Sequence, residues 1–325
     1  MLRLATLAAA LALTAITAQA DVTGKLVLYT SQPNEDAQKT VDAFKAKYPG
    51  VDVQWTRDGT TQVMAKLEAE FTAGAPQPDV LLIADMVSMQ SLKQEGRLMA
   101  YPEANTARFA KGLMDPDGYY FSTKMITTGI MYNTSAPMKP TSYKDLLKPE
   151  AKGKIVMPSP LTSGAAAIQM DAITADPDLG WQYYQGLADQ GTVAQGGNGA
   201  VYKAIASGEK LYGFIVDYLP VRGQAKGAPV AFVAPTEGLT AVTEPVAILK
   251  TAKNVAAAKA FVDFLLSADG QKVASDMGYL PADPDVAAPA GFPNRDQITL
   301  MPFDPAAALK DNDANLKKFA AMFGG

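Results

Sequence analysis

Four short stretches could hold a small anion. They are Thr30-Ser31-Gln32, Asp58-Gly59-Thr60-Thr61, Thr162-Ser163-Gly164-Ala165 and Asp217-Tyr218. Hydroxyls donate hydrogen bonds, small residues let an anion approach the backbone, and a helix start presents free N–H groups. The third stretch suits a phosphoryl group best, although it lacks the lysine and spacing of a P-loop. Each also has a plainer reading, because Ser and Thr before a helix often cap it. Four acids could accept hydrogen bonds from a ligand's hydroxyls or amine: Asp85, Asp217, Glu237 and Glu244. Asp217 closes an apolar run, which predicts a place at a strand end. Tyr119-Tyr120 and Tyr183-Tyr184 could ligate a metal, but their surroundings predict packing. The chain has no histidine and no cysteine. That removes Ser-His-Asp and Cys-His catalysis, His-bearing zinc sites and disulfides.

These stretches need elements to position them. Residues 25–29 (KLVLY) predict a buried strand, and Ala37, Val41, Phe44 and Tyr48 mark one face of a following helix. A strand over 51–55, a helix carrying Val63, Leu67 and Phe71, and a strand over 79–84 (DVLLIA) come next. Strands alternating with helices in so short a span predict a parallel sheet. Further strands are predicted over 125–133, 154–157, 212–216 and 244–249. Further helices are predicted from Gly164, over 181–188, 200–207 and 255–266, and over 312–323. Gly196-Gly197-Asn198-Gly199 reads as a loop, and the proline-rich stretch 281–305 as irregular. In open α/β sheets, ligands bind beyond the carboxyl ends of the strands, where the four stretches fall.

Residues 1–20 read as an export signal, with Arg3, a short apolar run over 4–16, and Ala18-Gln19-Ala20 before a cleavage at Asp21. The apolar run is shorter than a membrane span. The 325 residues suit two domains, and 29 basic against 33 acidic side chains do not suit a nucleic-acid partner.

KLVLYTSQPNEDA, AFKAKYP, DVLLIAD, QEGRL and the long segment TEPVAILKTAKNVAAAKAFVDFLLSADGQKVASDMGYLPADPDV occur in a telling order. In that order they resemble the periplasmic solute-binding proteins of the ferric-iron importer branch, extracellular solute-binding family 1. The resemblance implies an α/β, two-lobed periplasmic-binding-protein fold. Each lobe would be a sheet flanked by helices, with a hinge of crossing strands near 125–133 and 243–249. It places residues 21–125 with about 246–290 in an N-terminal lobe. Residues 126–245 with about 291–325 would form a C-terminal lobe. Iron binders of that branch use two adjacent tyrosines, often with a histidine and a glutamate. Here the tyrosine pair reads Asp217-Tyr218, the histidine position falls near Pro33, and the glutamate position is Asp85. The segment that holds their synergistic anion corresponds to Thr162, Ser163, Gly164 and Ala165 and is kept. The broader family also takes sugar phosphates, phosphoglycerate and aminoalkylphosphonates.

The expectation is therefore a periplasmic, monomeric, non-catalytic binding protein of an ABC importer. It would use no cofactor or metal, and its partners would be a small anionic solute and an inner-membrane permease. Expected contacts are Thr30, Ser31, Thr60, Thr61, Asp85, Thr162, Ser163, Gly164, Ala165, Asp217, Tyr218 and Glu237. The solute would carry a phosphoryl or phosphonyl group and be trapped by hinge closure. Ferric-ion binding is the alternative. A carboxylate-dependent secreted hydrolase is a more distant one, since no catalytic pair of acids stands out.

Overall fold

A computed structural model describes residues 22–110, 112–292 and 298–324. The export signal read at residues 1–20 lies outside the described residues. From the N-terminal side run β1 (Gly24–Thr30), α1 (Asn34–Lys47), β2 (Val51–Arg57), α2 (Thr60–Thr72), β3 (Val80–Leu82), α3 (Met86–Gln94), β4 (Leu98–Met99) and β5 (Tyr120–Ser122). The middle holds β6 (Lys124–Asn133), β7 (Ile155–Met157), α4 (Gly164–Ala175), α5 (Gly180–Asp189), β8 (Val193–Ala194), α6 (Asn198–Ala206), β9 (Tyr212–Val216), α7 (Tyr218–Ala225), β10 (Val230–Val233) and β11 (Thr240–Val242). The rest is β12 (Pro245–Leu249), α8 (Val255–Leu266), α9 (Ala268–Asp276), β13 (Leu280–Pro281) and α10 (Pro305–Phe323).

These strands form two sheets. The first has the order β2-β1-β3-β12-β4, with β5 also on β12. Its β1, β2 and β3 are parallel, as the alternating pattern predicts, but β12 runs antiparallel to β3. The second has the order β10-β6-β9-β7-β8, with β11 and β13 also on β6. Each sheet has its own core. Phe44 of α1 meets Phe261 of α8 edge-on at 5.0 Å beside the first. Tyr143, Tyr183 and Phe214 pack together beside the second. Tyr183 is part of that core, its hydroxyl donating to the Tyr143 carbonyl at 2.9 Å. The result is a two-lobed α/β protein.

The chain crosses between sheets at residues 122–124 and returns at residues 242–245. The crossings are bonded to each other, since Thr123 and Lys124 N–H both donate to the Thr243 carbonyl at 3.3 Å. Glu244 sits in the returning crossing with a φ of 39°, and no other non-glycine among the described residues has a positive φ. That conformation costs free energy for a side chain with a Cβ, so the surroundings must hold it. Gln271 Nε2 adds a bond to the Thr123 carbonyl at 2.7 Å.

Two expectations change in detail. The last helix starts at Pro305, not near 312, because proline with its fixed φ suits the first helical turn. Asn198 begins α6 instead of lying in a loop, which brings the glycine run to a helix start.

Candidate ligand site between the lobes

The cleft between the lobes holds a cavity of about 350 Å³. Its walls are the segments that leave the strand ends. After β1 come Ser31 and Pro33. Ser31 Oγ accepts from the Ala84 N–H at 2.9 Å, which ties the β1 and β3 ends together. Arg57 ends β2, and Asp58, Gly59 and Thr60 follow it. Arg57 is the cation in the lining, and its Nε donates to the Gln32 carbonyl at 2.8 Å.

The second lobe supplies Thr162, Ser163 and Ala165 at the start of α4, and Gly197, Asn198, Gly199 and Ala200 at the start of α6. Asn198 joins these segments. Its Nδ2 donates to Ser163 Oγ at 3.1 Å, and its Oδ1 accepts from the Val216 N–H at 3.1 Å. Ser163 Oγ also caps α4 by accepting from the Ala166 N–H at 3.3 Å. Gly59 and Gly197, which precede α2 and α6, make no side-chain cap. Three helix N-termini from two lobes thus meet one cavity. Their free N–H groups and positive dipole ends favour an anion.

Two glycines show how closely the lobes meet. A Cβ on Gly59 would lie 2.5 Å from the Thr162 carbonyl oxygen. A Cβ on Gly164 would lie 2.5 Å from the Ala84 carbonyl oxygen. Thr61 Oγ1 also reaches across, donating to the Pro160 carbonyl at 3.4 Å.

Glu244 forms part of the wall, 2% exposed and ion-paired with Lys124. Gln32 Nε2 donates to the same carboxylate at 3.2 Å. Burial pushes the Glu244 carboxyl up, and Lys124 opposes that shift. Tyr218 completes the wall, its hydroxyl pushed above the usual tyrosine range by burial.

Of the residues expected from the sequence, Ser31, Thr60, Thr162, Ser163, Ala165 and Tyr218 line this cavity. Gly164 stands beside them as the first residue of α4. The others lie elsewhere. Thr30 is fully buried, and its Oγ1 accepts from the Gln32 N–H at 3.1 Å, which shapes the turn after β1. Asp85 caps α3, taking the Val87 N–H at 2.8 Å and the Ser88 hydroxyl. Asp217 turns inward and takes the Thr127 N–H at 2.9 Å, the Thr127 hydroxyl at 2.7 Å and the Tyr218 N–H at 2.7 Å. Burial raises the Asp217 carboxyl to about 6. Glu237 bonds the Ser142 hydroxyl and the Tyr143 N–H, away from the cleft.

Arg57, Asn198 and its flanking glycines escape the sequence reading. Arg57 lies two residues beyond the predicted strand 51–55 and directly precedes the Asp58-Gly59-Thr60 stretch, so the strand-end rule could have reached it. The glycine run directly precedes a predicted helix, which is a signal for a helix start.

Comparison with known proteins places the chain in a family. Residues 75–305 match the bacterial extracellular solute-binding proteins. The chain belongs to this family. It is 28% identical to an uncharacterized Haemophilus influenzae protein, over 94% of this chain and 92% of that one. It is 26% identical to a probable ABC transporter periplasmic-binding protein, y4fP, of Sinorhizobium fredii, over 90% of this chain and 85% of that one. The periplasmic binding protein AfuA from Actinobacillus pleuropneumoniae, solved with exogenous fructose 6-phosphate bound, superposes with a TM-score of 0.84. That match has 24% identity and covers 92% of this chain and 98% of AfuA, so it fixes the fold of this family member.

Proposed function

We propose that the chain is the solute-capturing component of a bacterial ABC importer, active in the periplasm and without catalysis. Its solute is a small organic anion with one phosphoryl or phosphonyl group, which the lobes enclose and present to a membrane permease. One observation carries this reading: the starts of α2, α4 and α6, from both lobes, open onto one cavity with Arg57 in its wall. Backbone N–H bonds to a charged oxygen are roughly twice as strong as neutral ones, so these helix starts dominate affinity. The sugar phosphate bound by AfuA supports the same class. Both halves of the cavity come from one chain, which supports a monomer.

The ferric-ion reading draws less support. Among the lining residues the oxygen donors suited to iron are Tyr218, Asp58 and Glu244. Glu244 is committed to Lys124, and Asp58 Oδ1 takes the Gly59 N–H at 2.7 Å.

Thermal shift and calorimetry test the proposal with fructose 6-phosphate, 3-phosphoglycerate, 2-aminoethylphosphonate, fructose and ferric citrate. At least one phosphorylated or phosphonate compound stabilises the protein, by roughly 2.7 kcal/mol at 100 times its dissociation constant. Ser163→Asp abolishes that binding by placing a negative charge at the start of α4. Stabilisation by fructose or ferric citrate alone would overturn the ligand class.

A further inference from the structure

Behind the cavity wall the lobes are tied by an ion pair between a buried carboxylate and a half-buried guanidinium. Asp36, in the first turn of α1, belongs to the first lobe and is 1% exposed. Arg222 stands on α7 of the second lobe. Its Nη1 lies 3.0 Å from Asp36 Oδ2 and 3.3 Å from Oδ1. The Tyr279 hydroxyl, next to β13, donates to the same Oδ2.

The pair is coupled to the ligand site by two aromatic rings. The Arg222 guanidinium lies 4.5 Å from the Tyr218 ring centroid and 4.7 Å from that of Tyr279. The two ring centroids are 4.5 Å apart. Tyr218 forms part of the cavity wall, so Arg222 holds a ligand-facing ring and the opposite lobe at once.

The grip is incomplete. Arg222 offers Asp36 one nitrogen, while Nε and Nη2 are buried without a hydrogen-bond partner. A two-nitrogen fork would fix the lobes more firmly. Removing either partner leaves a charge uncompensated, so separating α1 from α7 is opposed yet remains within reach.

We propose that Arg222 is a positioning residue for solute capture. Through Asp36 it favours the closed arrangement before ligand arrives, and through its stacking it seats Tyr218 in the cavity wall. The proposal rests on the two-lobed trap and not on the phosphoryl nature of the solute.

The absence of native cysteine makes the test direct. Cysteines introduced at the exposed residues Ala69 on α2 and Gln182 on α5 carry one spin label on each lobe. Electron-electron distance measurements then report lobe separation in ligand-free protein. The parent shows a closed population. Asp36→Asn and Arg222→Gln each reduce the closed-to-open ratio by roughly tenfold, the factor that goes with one charge-assisted bond. The double variant goes no further, and Arg222→Lys keeps part of the closed population. Tyr218→Leu, which removes the ring beneath the guanidinium, shifts the ratio in the same direction. Circular dichroism confirms folding, and Asp36→Glu with Arg222→Lys carries the test if a neutral variant does not fold. A ligand-free parent with no closed population, unchanged distances in the single variants, or additive effects in the double variant would each overturn the proposal. None of these readings uses a ligand, so their failure is separate from failure of the ligand class.

Discussion

An aspartate at the end of an apolar run looks the same in sequence whether it faces a solute or holds a loop. Asp85 and Asp217 do the second, because a helix start offers N–H donors closer than any ligand. Asp171 on α4 shows the cost of such placement. Burial, with Asp85 and Asp311 nearby, raises its carboxyl to about 6, and the bond from Asn315 Nδ2 at 2.9 Å only partly offsets this. Between the ordinary value of 3.8 and about 6, the unfolded chain has lost this proton while the folded chain keeps it. Stability from this group therefore falls as pH rises through that window and stays low above it. Asp171→Asn keeps an acceptor for Asn315 and removes the charge. Urea unfolding at pH 4 and pH 8 should show parent and variant alike at the lower pH. At pH 8 the variant should be more stable, by up to roughly 3 kcal/mol. A constant difference across the range would mean that Asp171 is already ionised at pH 4 in the folded chain.

At the scale of elements, the site depends on how α4, α6 and β9 are joined. Asn198 does this with one amide, bonding Ser163 Oγ on one side and the Val216 N–H on the other. Asn198→Ala should lower stability by about 1–2 kcal/mol, the cost of leaving a partly buried donor and acceptor unpaired. It should also weaken anion binding, whereas Glu237→Gln should leave binding unchanged. Calorimetry on both variants checks the contrast, and equal losses would place the site away from α6. The elements that build this junction were mostly legible. Long apolar runs such as 25–29 and 212–216, and periodic helices such as α1 and α8, announce themselves because burial alone decides them. Short strands such as β4, β10 and β11 do not, since only their pairing partners make them strands. The glycine run before α6 reads as punctuation, and only its place before a predicted helix hints that it is a helix start facing the cleft. Which side of a strand end a carboxylate faces was not legible, because that choice is made by neighbours distant in sequence, such as Thr127 for Asp217.

At the scale of the whole molecule, the two lobes close on each other through glycine. Gly164 takes the first position of α4, where alanine favours a helix more than glycine does, and its φ is not in the left-handed region. Local structure therefore does not demand glycine. The Ala84 carbonyl does, since it would stand 2.5 Å from a Cβ across the cleft, with Thr60 Cγ2 and Asp85 Cβ at 3.0 Å. All three belong to the opposite lobe, so the clash exists only while the lobes touch. Gly164→Ala should consequently leave the thermal stability of the open form intact or slightly raised. Closure should cost roughly 1–3 kcal/mol more, as overpacking generally does. Affinity for the solute should fall about 5- to 150-fold by the same free energy. Small-angle scattering at a ligand concentration that saturates the parent should show the variant more extended. If instead the variant binds and compacts like the parent, the Ala84 carbonyl yields on closure, and this contact does not limit how far the lobes come together.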